Sequence, residues 1–189
     1  WLRSAFPRGV PGRLIAVGLG LTLATALLWL VSPPDRRSWP PADWFLIMCD
    51  VGQGDALLVR SGEATAVVVD TGPDPDLIDR CITEARVDVV PAIVLTHFHA
   101  DHVAGLPGLL LTVGNSGRTR DEPLVIAGPR GVQRVVESLR VIAPHLPYPV
   151  RYRELSGDPA DTLSVGALRV TACPADHDVP CLGYRLSLS

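Results

Sequence analysis

The residues best suited to carry chemistry lie together after one predicted strand, Ile93 to Thr96. Three imidazoles and one carboxylate follow within six residues, at His97, His99, Asp101 and His102. Because the sheet holds the chain where a strand ends, His97 and His99 can point toward one metal ion while Asp101 and His102 approach a second. Two such cations would polarise a phosphoryl or carbonyl oxygen and supply hydroxide near neutral pH. The spacing therefore predicts a hydrolytic metal centre.

The sequence HFHADH, residues 97–102, resembles the H-x-H-x-D-H motif of the metallo-β-lactamase superfamily. The resemblance implies a mixed α/β (α+β) fold, the four-layered αββα sandwich. It also implies zinc as the cofactor, as one or two ions, with manganese as an alternative. Further segments of the same family pattern imply one carboxylate and one histidine outside the motif.

Residues 67–72, Val-Val-Val-Asp-Thr-Gly, resemble the early strand of this family that ends in Asp-x-Gly. This resemblance implies that Asp70 lies behind the metal ligands and orients one of them or a water. A turn aspartate before glycine is the alternative interpretation of Asp70. His177 lies where a third histidine would complete the first metal site. The implied ligands are His97, His99, Asp101, His102 and His177. We expect Asp101 also to act in catalysis, by orienting the attacking water or accepting its proton.

Two narrower resemblances divide the chain. Residues 14 to about 110, with Asp-Val-Gly-Gln-Gly-Asp-Ala at 50–56, are similar to the end of the membrane channel and the start of the nuclease-like domain of ComEC-type DNA-uptake proteins. Residues 105–186, through the segments 109–118 and 177–185, are similar to ribonuclease Z, the nuclease that processes tRNA 3′ ends. The two meet near residues 105–110, so a chimeric sequence is an alternative.

Both families imply hydrolysis of a nucleic-acid phosphodiester. We expect a metal-dependent nuclease that acts on single-stranded DNA, in the manner of the uptake-protein domain. One alternative is a ribonuclease Z-like endonuclease that cleaves a tRNA precursor. A second is an inactive metal-binding fragment, because the family pattern includes a later bridging Asp and a final His, and no residue after Arg185 matches them. No feature selects thiol-ester or lactam hydrolysis, and no feature predicts an oligomeric state.

The elements that must position these residues follow a Pro-rich spacer. Short aliphatic runs alternate with turn residues and helical patterns from Trp44 onward, which predicts a layered α/β domain. The predicted strands are residues 44–50, 56–60, 66–70, 92–96, 124–127, 150–155, 167–172 and 184–188. Asp74 and Pro75 predict the start of a helix. A second helix is predicted from about Gly131 to Ile142, with its apolar face at residues 132, 135, 136, 139 and 142.

An apolar run of 18 residues, Leu14 to Val31, reaches the threshold for a membrane-spanning helix. We predict a spanning region over residues 1–31, a spacer over 32–43 and a metallo-β-lactamase-like domain over 44–189 that is incomplete at its C-terminus. The arginines on either side of the run place the domain on the outer face of the cell membrane. A signal peptide is the alternative for the run, and the ribonuclease Z interpretation requires a cytoplasmic enzyme. Because the chain begins with Trp, we expect a piece of a longer product.

The net charge of −3 excludes a protein that holds nucleic acid by bulk positive charge. The charges are unevenly distributed, since residues 50–101 carry ten acidic residues against three arginines, whereas residues 118–153 carry seven arginines against three acidic residues. For most of these arginines we expect a solvated helix face, and contact with a polyanionic backbone is the alternative.

The four cysteines form no C-x-x-C pair, which excludes a zinc ribbon and a thioredoxin-type site. They are Cys49, Cys81, Cys173 and Cys181. Cys173 and Cys181 bracket His177 at equal spacing, and for these two we expect small buried thiols in strands, with a soft metal site as the alternative.

Overall fold

The computed structural model describes residues 39–188 and, before them, residues 22, 25 and 27. The chain divides into two compact units, residues 1–39 and 40–189, and the second unit holds every element described below. The boundaries predicted at residues 31 and 43 stay predictions. Within the described part of the chain, no helix combines the length and the apolar character that crossing a bilayer requires. The apolar run at residues 14–31 lies outside the described residues, apart from the three named above.

Six strands form the main sheet, and their spatial order is their order in the chain. They are β1 (Leu46–Met48), β2 (Leu57–Gly62), β3 (Thr65–Val69), β4 (Ala92–Val94), β5 (Leu124–Gly128) and β6 (Val150–Glu154). β1, β2 and β3 pair antiparallel, whereas β3, β4, β5 and β6 pair parallel. The carboxyl ends of four neighbouring strands therefore meet at one edge of the sheet, which is where open α/β sheets bind ligands.

Four helices connect these strands. They are α1 (Pro75–Glu84), α2 (Ala100–Val103), α3 (Leu106–Asn115) and α4 (Val132–Leu139), and a 3₁₀ turn follows α4 over Arg140–Ile142. The predicted start of α1 is confirmed, because the Asp74 side chain accepts a hydrogen bond of 2.9 Å from the Asp76 N–H. The apolar face predicted for α4 ends early, since the chain tightens into the 3₁₀ turn and leaves Ile142 76% exposed.

Three further strands form a small antiparallel sheet in the order β7, β8 and β9. They are β7 (Thr162–Val165), β8 (Leu168–Ala175) and β9 (Cys181–Leu188). Sequence patterning missed β7 and the first three residues of β9. The register pairs Cys173 with Gly183 and Ala175 with Cys181, so residues 176–180 form the turn of a hairpin. His177 lies in this turn.

Two hydrophobic clusters define the layers. The first cluster lies between one face of the main sheet and the helices, and its buried members include Leu58, Ile93, Leu109 and Val136. The other fills the space between the two sheets and draws its buried residues from strands and the segments beside them. The described residues thus form three layers of an αββα sandwich: helices, main sheet and small sheet. The outward-facing side of β8 is exposed, as at Cys173.

A disulfide joins Cys49, just after β1, to Cys81 on α1. Sequence spacing could not reveal the pair, because 32 residues separate the cysteines and only the packing of α1 against the sheet brings their Cα atoms to 5.7 Å. Cys173 and Cys181 are free thiols in strands, as predicted. The prediction that they are buried is wrong, because Cys173 lies on the exposed side of β8 and Cys181, at the start of β9, is only half-buried.

Candidate metal centre

Four loops converge at the carboxyl edge of the main sheet. Asp70 follows β3, Thr96 and His97 follow β4, and Pro129 follows β5. The β8–β9 hairpin closes over the same edge, because the Leu182 N–H donates to the Thr96 carbonyl oxygen at 2.9 Å. This bond joins β9 to the residue before His97, so the hairpin turn lies beside the histidine segment.

Three histidine rings meet beneath the hairpin turn. His97, His99 and His177 each offer one ring nitrogen, and these three atoms lie within 4.8 Å of one another. The ring of His97 lies 4.8 Å from that of His99 and 4.5 Å from that of His177, measured between centroids. His97 is only 4% exposed, whereas His99 and His177 are reached by solvent. Three convergent imidazoles with an open side are a donor set that suits zinc in a catalytic site.

Asp70 organises the residues behind this cluster. Its carboxylate is 1% exposed and accepts hydrogen bonds from the Thr96 N–H at 2.8 Å and the Thr96 hydroxyl at 2.6 Å. The Thr96 oxygen in turn lies 3.0 Å from His97 Nδ1. Because the hydroxyl donates its hydrogen to Asp70, its oxygen is left to accept the Nδ1 hydrogen of His97. This arrangement leaves the Nε2 lone pair of His97 free to bind a cation.

Asp70 also contacts the last histidine of the HFHADH segment. His102 Nδ1 lies 3.0 Å from the Oδ2 atom of Asp70, and the His102 ring lies 4.0 Å from the ring of His97. With Nδ1 donating to the carboxylate, His102 presents Nε2 as a lone pair. One buried carboxylate therefore sets the tautomers of two histidines on the same side of the centre.

Asp101 lies at the rim of the centre. Its side chain is 44% exposed, and Oδ2 lies 3.8 Å from His102 Nε2. The loop of residues 50–56 packs against its backbone, since a Cβ at Gly54 would lie 2.0 Å from the Asp101 carbonyl oxygen. Gly54 also has a φ of +66°, so both the close approach and the backbone conformation require glycine there.

The electrostatics of the centre favour neutral imidazole at its base. Burial is the largest cause of the lowered pKa of His97, and the neighbouring histidines add to the effect. A neutral ring keeps the lone pair that a metal ion needs. Burial also raises the pKa of Asp70, an effect that the hydrogen bonds from Thr96 and His102 oppose. A cation bound nearby would further favour the ionised carboxylate.

The sequence-predicted residues are thus placed in two groups. His97, His99 and His177 form the cluster, and His102 and Asp101 lie together at its side. Sequence reasoning missed Thr96, the link between Asp70 and His97. A threonine before the first histidine of the motif carries no metal-site signal by itself, and only its contact with Asp70 reveals its position.

Asp178 is a second residue that the sequence analysis did not single out. Its Oδ1 atom contacts His177 Nδ1 and lies 3.7 Å from His99 Nε2. Neither Cys173 nor Cys181 belongs to the histidine cluster. The soft metal site considered for these cysteines is therefore not formed in the described residues.

The family model described as "Metallo-beta-lactamase superfamily" matches residues 49–187 of the chain. This stretch contains all the strands from β2 to β8 and both groups of site residues.

Curated relatives carry the name ribonuclease Z. The protein from Lachnospira eligens is 39% identical over 148 residues, which are 78% of this chain and 44% of that protein. The protein from Clostridium kluyveri is 40% identical over 136 residues, which are 72% of this chain and 41% of that protein. The chain therefore spans less than half the length of these relatives.

Among solved structures, the human tRNase Z, short form, is similar to this chain with a TM-score of 0.60. The two are 20% identical, and the similarity covers 76% of this chain and 64% of the human protein. A diphosphatase from the PhnP family matches with a TM-score of 0.50 and 20% identity, over 70% of this chain and 48% of that protein. At these identities the two structures support the fold.

The predicted location on the outer face of the cell membrane is wrong. It depended on the apolar run at residues 14–31 and on the resemblance to a DNA-uptake protein, but the relatives described above are named ribonuclease Z. A run of 18 residues is at the lower limit for a membrane span, so hydropathy alone could not decide the location. The ComEC-type resemblance gains no support from these relatives.

Proposed function

Because the chain belongs to the metallo-β-lactamase superfamily, we propose that it is a metal-dependent hydrolase of RNA phosphodiesters with a tRNA precursor as its substrate. The convergence of His97, His99 and His177 carries this proposal, since three imidazoles with an open side suit a hydrolytic metal ion. The ribonuclease Z relatives support RNA as the substrate class, because their similarity covers 78% and 72% of this chain.

The residues of the centre have distinct proposed roles. His97, His99 and His177 would hold one zinc ion, and His102 with Asp101 would contribute to a second ion, which could also be manganese. A bound ion of this kind polarises a phosphoryl oxygen and makes water a better nucleophile near neutral pH. Asp101 is exposed enough to meet substrate, and in our proposal it orients the attacking water or accepts its proton.

Asp70 and Thr96 act from behind these ligands. Asp70 keeps hydrogens on the Nδ1 atoms of His102 and, through the Thr96 hydroxyl, of His97. The two histidines then present their Nε2 lone pairs without having to reorganise when an ion binds. We therefore assign Asp70 a positioning role and no direct contact with substrate.

Cleavage of matched substrates tests the proposal. The full chain, loaded with zinc or with manganese, is incubated with a tRNA precursor that carries a 3′ trailer and, separately, with single-stranded DNA of the same length. We expect cleavage of the precursor near the tRNA 3′ end, loss of activity in H177A and full activity in H145A, because His145 is exposed and outside the cluster. Cleavage of the DNA alone would favour the uptake-protein function. Zinc binding without cleavage of either substrate would identify an inactive metal-binding domain.

A further inference from the structure

A cavity of about 720 Å³ opens beside the histidine cluster. His177 and Asp178 line it from the β8–β9 turn, and Arg130 lines it from the loop between β5 and α4. Its volume falls in the range of small-ligand sites. His177 belongs both to this cavity and to the cluster, so the cavity could receive the nucleotide next to a phosphate that reaches the cluster.

Arg130 is the only arginine or lysine that lines the cavity, and it forms no ion pair within residues 39–188. Each of the three carboxylates that line the cavity has another partner, and the partner of Asp178 is His177. Glu154 accepts a hydrogen bond of 2.7 Å from the Gly131 N–H, and Asp161 accepts one of 3.0 Å from Arg153. The Arg130 guanidinium therefore keeps all its donors for a bound anion.

The loop that carries Arg130 is held on both sides. The Glu154 carboxylate fixes Gly131, and the Leu155 N–H donates to the Gly128 carbonyl oxygen at 2.8 Å. Gly131 has a φ of +97°, a conformation that favours glycine and turns the chain into α4 directly after Arg130. An arginine on an anchored loop loses less conformational entropy on binding than one on a free loop.

We propose that Arg130 binds a phosphate of the substrate strand next to the scissile phosphate. This inference rests on the proposed function, and it adds a residue that positions the strand relative to the metal centre. A guanidinium binds a phosphate through two parallel N–H···O bonds, so the contact orients the strand as well as attracting it. Arg130 and His177 line the same cavity, so a phosphate contact at Arg130 would set which phosphodiester of the strand lies over the cluster.

The test compares R130Q with R134Q. Arg134 is exposed on α4 and does not line the cavity. Each variant loses one positive charge, and the two positions are only four residues apart. For the zinc-loaded full chain, RNA binding is measured with the 3′-trailer precursor at several salt concentrations, and kcat and KM are measured in parallel. Zinc content and thermal unfolding of each variant confirm that the centre and the fold are intact.

We expect R130Q to raise Kd and KM about tenfold, to change kcat less than about twofold, and to lower the slope of log K against log salt by about 0.7 to 1. R130K should recover part of the affinity, because it restores the charge without the paired donors. R134Q should match the wild type.

Two outcomes would overturn the inference, and they are distinguishable. If the wild type cleaves the precursor but R130Q and R134Q have the same Kd and the same salt slope, Arg130 does not bind phosphate and the proposed function stands. If the wild type neither binds nor cleaves the precursor, the proposed function fails and the inference fails with it.

Discussion

Replacing Asp70 with Asn would test whether one buried carboxylate controls the metal centre. The substitution keeps the shape of the side chain, and Asn tolerates the left-handed backbone that Asp70 adopts, with a φ of +54°. Alanine would be a poorer probe, because it leaves the Thr96 N–H, the Thr96 hydroxyl and His102 Nδ1 without their buried acceptor, at about 1 to 3 kcal/mol each.

The effect of D70N follows from the hydrogen bonds. An amide offers one oxygen and one NH₂ group, so if the oxygen keeps the Thr96 N–H, the NH₂ faces the Thr96 hydroxyl and His102 Nδ1. His102 Nδ1 must then accept a hydrogen bond from this NH₂ group, so the hydrogen of the neutral ring moves to Nε2. The Thr96 hydroxyl, no longer donating to residue 70, turns its hydrogen to His97 Nδ1 and has the same effect there.

Both shifts remove a lone pair that a metal ion would use. Loss of a group that orients a ligating histidine costs about 10-fold to 100-fold in metal affinity. This range corresponds to about 1.4 to 2.7 kcal/mol. Because His97 belongs to the three-histidine cluster and His102 lies beside it, we expect weaker binding at both proposed ion positions.

Competition with a chelator measures the zinc affinity of the wild type, D70N and the control D74N. Asp74 is exposed and caps α1, and Asn caps a helix as well as Asp, so D74N removes the same charge without touching the centre. We expect D74N to match the wild type. Equal affinities for D70N and the wild type would refute the tautomer argument, because the geometry would then tolerate either hydrogen position.

Three further outcomes are expected. H177A should weaken zinc binding more than about 100-fold in the same competition, while H145A leaves it unchanged; equal losses would remove His177 from the ligand set. Reduction of the Cys49–Cys81 disulfide, which spans 32 residues, should lower the free energy of unfolding by about 4 kcal/mol at most, and a urea midpoint insensitive to reductant would contradict this. Burial raises the pKa of Tyr148 to about 12, so its contribution to stability is complete below pH 10 and is lost as the pH rises through 12; alkaline unfolding followed by circular dichroism should be less steep in Y148F.

The sequence was most informative where a local pattern decides the structure. The N-cap at Asp74 and the strand before His97 depend on neighbouring residues, and both are observed. The α3 helix was missed because its sequence, LPGLLLTVGN, contains a proline and two glycines, which are typical of turns. Its buried leucine and valine residues nevertheless follow a helical spacing, at 106, 109, 110 and 113. Its Pro107 lies in the first turn, where proline favours a helix start.

The parts that sequence could not supply depend on contacts between distant residues. The hydrogen bond from Thr96 to Asp70 joins the ends of two parallel strands, and 26 residues of sequence separate these two side chains. The Cys49–Cys81 disulfide likewise depends on where α1 packs. A sequence pattern identifies residue types that suit a metal, but the position of Thr96 and the open cavity beside Arg130 follow only from the fold.

The two resemblances that divided the sequence meet inside one continuous core. They change over near residues 105–110, yet β4, before that point, pairs in parallel with β5, after it. Buried residues from both sides, such as Ile93 and Leu124, belong to the same cluster. The metal centre also draws on both, with His97 from one side and His177 from the other. Two unrelated pieces joined at that point would have no reason to match in strand register, core packing and ligand geometry together, so the packing favours one domain that folds as a unit.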